Sequence, residues 1–287
     1  MLIIIALMCS AMQYQQVKYA CYRSDERSVI PRIRTFTGDL TAPVIKSRVL
    51  STNIVKPFVY KYAVAGGRIN LHKLFEITSI WMSFWMFATM LIPIFRSKVP
   101  LYWILALFAM SQYHWLPGGR DFVFPYDGPI LFAVTAVMLL FHQWMSIAII
   151  PAMAIKETAL AMVFTCKTCK QTVIAGAVAI TTKISIDIIV KNPILFTQEP
   201  TIRLENNLPC IVKNLTMISH GNMHVIMALI LIGIGSVYVN NRVRLSIAFY
   251  VVCMLFVGVI SEYRIWFELL PIILWGIEHK TKKEGGE

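Results

Sequence analysis

The 287-residue chain is 57% apolar and only 15% charged, with a mean hydropathy of +0.65 and a formal charge of +12. Ordinary soluble domains carry about 25% charged residues, so this composition excludes a soluble core and fits a chain whose apolar blocks cross lipid. The Lys and Arg excess lies in loops and at segment ends. Orientation and anionic lipid account for it there, and no helix-turn-helix, zinc-finger or RNA-binding pattern points to nucleic acid.

In chain order, Leu2–Met12 is apolar but short and lacks a preceding basic run. It predicts a shortened first span continuing through Tyr19, or a signal-anchor remnant. Residues 18–73 read as a polar, basic extracytoplasmic loop, of a length that is usually functional or disordered. Spans are predicted at Leu74–Phe95, Val99–Trp115, Gly128–Phe141, Gln171–Val190, Met217–Val239, Val243–Ile260 and Trp266–Ile277. Pro151 and Lys156-Glu157 interrupt Trp144–Phe164, and residues 280–287 form a short polar tail expected to be mobile. No repeat and no second domain is visible. The expectation is one integral membrane domain over 1–287, an all-α polytopic transmembrane helical bundle of about eight to ten spans.

Charge counting orients the bundle. Arg96-Ser97-Lys98, His142-Gln143, Lys167 to Lys170, Arg242 to Arg244 and Lys280 to Lys283 are short basic turns. All five face the cytoplasm if Trp144–Phe164 is a hairpin rising to Lys156-Glu157 and returning to Lys167, as the positive-inside rule prefers. The basic 18–73 loop then lies outside, which a long loop can do because it obeys the rule weakly. Under that orientation Asp39, Arg120, Asp121, Asp127, Lys156, Glu157, Glu262 and Arg264 all fall on the non-cytoplasmic side. Charge near lipid is costly and marks a pathway, a partner or chemistry.

A carboxylate at the lip of a membrane cavity suits transfer from a lipid-linked donor, as general base on an acceptor hydroxyl. Nearby Arg or Lys can stabilise the departing phosphate. Gly38-Asp39 precedes Ser47-Arg48-Val49-Leu50, and Tyr126-Asp127-Gly128-Pro129 opens a span. Lys156-Glu157-Thr158-Ala159-Leu160 follows, then Glu262-Tyr263-Arg264 and Glu268-Leu269-Leu270-Pro271.

In that order, from about Gly38 to Pro271, the motifs resemble those of bacterial polytopic membrane proteins related to the GT-C glycosyltransferases, which use polyprenyl-phosphate sugars. The resemblance implies a GT-C-like fold in the bacterial inner membrane. It also implies transfer of a sugar from a polyprenyl-phosphate donor to an extracytoplasmic acceptor. Asp39 becomes the candidate base, and Arg120 or Arg264 the contact to donor phosphate. Arg48, Asp121, Asp127, Lys156, Glu157 and Glu262 complete the candidate substrate site. Related enzymes differ in their need for a divalent cation, and no dedicated metal cage is visible in this sequence.

Each residue also has a plainer role. Asp39 follows Gly38 in a polar loop, where Asp commonly forms turns, and Arg48 can anchor at a headgroup. Asp127 stands at a helix-cap position with Pro129 just inside. Lys156 and Glu157 can pair with each other or with neighbouring helices, and Glu262 with Arg264. Glu268 lies deeper and needs a partner, for which Arg264 one turn back is the local candidate.

The six cysteines are scattered, and Cys166-x-x-Cys169 supplies half a zinc site. His220 and His224 lack the Glu of a metalloprotease motif. Two other functions compete: a transporter or lipid-handling protein, and a non-catalytic membrane subunit.

Overall fold

The computed structural model describes residues 2–23, 50, 54, 56–65, 68–96, 127–189, 232–233, 235–237, 239–257 and 268–284. Leu2–Arg23 forms one helix, α1, of 22 residues. Its last turns were expected to be loop. They are helical because Val17 and Cys21, four residues apart, bury one face against Val59, Ala63, Leu74 and Phe75. Part of the expected loop is likewise ordered. Lys56–Ala63 is a short helix, α2, and Val64–Ala65 (β1) pairs antiparallel with Arg68–Ile69 (β2). Tyr62 donates to Glu76 at 3.0 Å, and that bond with the carboxylate's charge raises the phenol above its ordinary pKa.

Asn70 then starts α3, Leu71–Phe95, by accepting from the Lys73 amide at 3.1 Å. Helices α1 and α3 cross at a reciprocal serine clamp. Ser10 Oγ donates to the Ser83 carbonyl at 3.0 Å, and Ser83 Oγ donates to the Ser10 carbonyl at 2.8 Å. Elsewhere, hydroxyls on apolar helices are satisfied by their own backbone, as Thr89 by Trp85 at 2.7 Å and Thr135 by Leu131 at 2.7 Å.

Asp127–Leu139 forms α4, which packs against α3. A Cβ on Gly128 would lie 2.9 Å from Trp85 Cβ, so only glycine allows this approach. The chain then bends by 98°. A 3-10 turn, His142–Trp144, leads into α5, Met145–Ile155. Lys156 breaks the helix in an extended conformation, and Glu157–Thr165 continues as a 3-10 helix. Cys169–Ile189 is α6, Asn241–Val257 is α7 and Leu270–Glu284 is α8. Helix α8 therefore runs into the expected tail, as Lys and Glu, both good helix formers, permit.

Among the described residues, two helices, α3 and α6, are long and apolar enough to cross a membrane, and the bent α4–α5 pair is a third if counted as one span. The chain is a helical membrane protein. The predicted spans Val99–Trp115 and most of Met217–Val239 lie outside the described residues.

The interrupted segment is a hairpin. His142 Nε2 at the start of one arm lies 3.1 Å from Thr165 Oγ1 at the end of the other. Neither arm alone reaches the ~30 Å of a hydrocarbon core. The basic turns gather at this base. Arg96 pairs with Glu278 at 3.3 Å, His142 stacks on Trp275 at 4.1 Å, and Arg242 Nη1 donates to the Cys166 carbonyl. The described residues of all five turns assigned to one side by charge thus meet at one end of the fold.

Candidate functional site

At the other end of the hairpin, its tip, the chain buries charge. Lys156 is 5% exposed and Glu268 6%, so neither is solvated. They form an ion pair across 112 residues of sequence. Thr158 Oγ1 donates to Glu268 Oε2 at 2.5 Å, and Tyr250 OH donates to the same oxygen at 3.2 Å. A buried carboxylate is tolerated when a cation and hydrogen bonds compensate its lost hydration, and this one has both.

Three elements build the cluster. Lys156 is held by the break between the arms, its amide bonded to the Ala152 carbonyl at 3.0 Å. Thr158 follows on the 3-10 arm. Glu268 sits in a turn just before α8, where Leu269 accepts from the Ile273 amide at 3.0 Å. Tyr250 comes from α7, which is laced along the return arm. Arg242 reaches the Cys166 carbonyl near the base, and Ser246 Oγ donates to the Ala161 carbonyl at 2.6 Å. Tyr250 reaches Glu268 at the tip. Residues 242, 246 and 250 follow one another at four-residue steps, so a single face of α7 makes the whole seam.

Of the sequence-predicted site residues, Asp127, Lys156 and Glu157 are described. Asp127 opens α4, where the helix dipole favours a negative charge. Lys156 is turned inward onto Glu268, while Glu157 beside it is partly exposed at the head of the 3-10 arm. Asp39, Arg48, Arg120, Asp121, Glu262 and Arg264 lie outside the described residues. Glu268 was singled out in the sequence with Arg264 as its local candidate; in the structure Lys156, Thr158 and Tyr250 hold it. Tyr250 carried no sequence signal, since it is one aromatic residue in an apolar span.

Among the described residues no group of three or more His, Cys, Asp or Glu could hold a metal ion. A third ion pair, Lys183 with Asp187 at 2.9 Å, lies within α6 and is satisfied one turn apart. No protein-family model, curated protein or solved structure matches the chain.

Proposed function

We propose that this membrane protein acts as a glycosyltransferase of the polyprenyl-phosphate-dependent kind, moving a sugar from a lipid-linked donor to an extracytoplasmic acceptor. One observation carries the reading. The Lys156-Glu157-Thr158 and Glu268-Leu269 segments, two of the ordered motifs, meet at the hairpin tip although 110 residues separate Thr158 from Glu268. Segments that carry chemistry are expected to converge in this way, and the pairing fixes the backbone that presents Glu157.

In the proposed reaction, Asp39 takes the proton of the acceptor hydroxyl as its oxygen bonds to the anomeric carbon. The bond from that carbon to the donor phosphate oxygen breaks, and the phosphate leaves with the electron pair. Arg120 or Arg264 stabilises the charge on that oxygen. Lys156, neutralised by Glu268, positions the tip in this scheme and is not the phosphate contact.

The test is turnover or binding of a panel of polyprenyl-phosphate sugars by the purified chain. At least one donor should be consumed, and Asp39→Ala should abolish its consumption. Retained activity in that variant removes the assigned base, and inertness of the wild-type chain to every donor overturns the reading.

A transporter or lipid-handling role is the second reading. It is supported by the 98° break and the two short arms meeting at a buried ion pair, since transporters build sites from broken helices. Substrate movement across reconstituted vesicles without chemical change would favour it.

A further inference from the structure

The base of the hairpin carries charge that nothing among the described residues neutralises. Lys167 stands exposed in the turn between the 3-10 arm and α6, Lys170 is exposed in the first turn of α6, and Arg242 and Arg244 are exposed at the start of α7. Among the described residues no carboxylate comes within ion-pair distance of these four; Glu278, at the same end, pairs with Arg96. Backbone carbonyls orient the two arginines without cancelling their charge. Arg242 bonds the Cys166 carbonyl, and Arg244 bonds those of Ser236 at 2.7 Å and Val237 at 3.0 Å.

Five acidic side chains lie away from this end. Glu157 and Glu268 are at the hairpin tip, and Glu76, Asp127 and Asp187 are at the far ends of helices whose opposite ends lie at or lead to the base. The fold is electrically lopsided. Beside the cations stand apolar side chains that a soluble protein would hide: Trp144 is 59% exposed and Val173 69%. A tryptophan next to unpaired cations, at the end of membrane helices, is the composition of a surface at headgroup depth.

We propose that this base is a binding surface for anionic phospholipid headgroups, with Lys167, Lys170, Arg242 and Arg244 taking the phosphate and Trp144 lying against the acyl–glycerol boundary. The attraction is between fixed positive charge and lipid phosphate, strengthened because headgroups are held at the same depth. It is independent of the catalytic reading, since the surface is at the opposite end of the hairpin from the tip.

The experiment is quenching of Trp144 fluorescence, obtained by difference from Trp144→Phe, in bilayers containing brominated phosphatidylglycerol or brominated phosphatidylcholine. The wild-type chain should be quenched at several-fold lower mole fraction of the anionic lipid. Lys167→Gln/Lys170→Gln should weaken that preference by about fivefold or more per charge removed. The phosphatidylcholine curve should stay unchanged, and Lys167→Arg/Lys170→Arg should retain the preference. Equal quenching by the two lipids, or a preference indifferent to the glutamine variants, overturns the proposal. So does displacement by millimolar inorganic phosphate, which would assign the patch to soluble anions.

Discussion

His142 Nε2 and Thr165 Oγ1 lie 3.1 Å apart, so the two arms of the hairpin start and finish at one point. The tip is closed separately by Lys156 and Glu268. With both ends pinned, α5 and the 3-10 arm behave as one unit, and the two fastenings can be broken one at a time.

Breaking the tip should be costly and strongly non-additive. Glu268→Gln takes the Glu268 counter-charge from the buried Lys156 ammonium, and Lys156→Met takes the ammonium from the buried carboxylate. Each should lower stability by about 3–5 kcal/mol. The double variant Lys156→Met/Glu268→Leu should recover most of that loss, because both members of the pair are removed together. Unfolding titrations in mixed detergent micelles measure all three, and losses that simply add would contradict the assigned pair.

Glycine replacement separates two kinds of close packing. In Gly128→Ala the new methyl meets Trp85 Cβ at 2.9 Å, an atom fixed to its backbone, so α3 and α4 must move apart. In Gly276→Ala it meets the Val239 and Val243 methyls at 2.8 and 3.0 Å, which are farther from the main chain. Overpacking of this kind costs about 1–3 kcal/mol. Melting temperatures should fall further for Gly128→Ala than for Gly276→Ala.

The serine clamp offers a coupling measurement. Ser10→Ala removes one donor and leaves the Ser83 carbonyl without it, and Ser83→Ala does the converse. Interhelical hydrogen bonds in membrane proteins average about 0.6 kcal/mol. A double-mutant cycle on the folded fraction should return a coupling of that order between these positions, and none between Ser10 and Ser246.

Cys169 reports which way the basic end faces. It is exposed as the first residue of α6, between Lys167 and Lys170, whereas Cys9, Cys21 and Cys166 are buried. A membrane-impermeant maleimide should label it from the cytoplasmic face alone, with Cys169→Ser identifying the lost signal. Labelling from the outer face would reverse the orientation drawn from the basic turns.

Much of this architecture could be read from local sequence. The charge pattern favoured the hairpin, because a straight span would have flipped every later basic turn; Lys156 marks its tip, while Pro151 sits inside α5 without ending it. The basic turns gave the common end correctly because charge asymmetry reports on topology without any knowledge of packing. Boundaries fared less well where polar residues start or extend a helix. Helix α3 begins at Leu71, three residues before its predicted start, since Asn70 caps it through two polar residues, His72 and Lys73. Helix α1 outran its apolar stretch because Val17 and Cys21 find cover on α2 and α3, which sequence spacing within α1 cannot reveal.

The site was legible in its parts and not in its pairing. Lys156 and Glu268 each stood out as charge in an apolar setting. The local rule offered Arg264 for Glu268, because only neighbours one turn away can be read along a helix. Lys156 is a tertiary partner 112 residues upstream, and Thr158 and Tyr250 arrive only with it.

The 3-10 conformation of the return arm sets the geometry of the hairpin. From His142 the first arm, a three-residue 3-10 turn and the eleven residues of α5, rises about 22 Å, whereas nine residues wound as an α-helix would rise only about 13 Å. At the 2.0 Å per residue of a 3-10 helix, the same nine cover about 18 Å, so the shorter arm makes up about half of the difference in reach. Slackening that arm into an ordinary helix would leave Thr165 a few ångströms short of His142, and the loop would no longer close on itself.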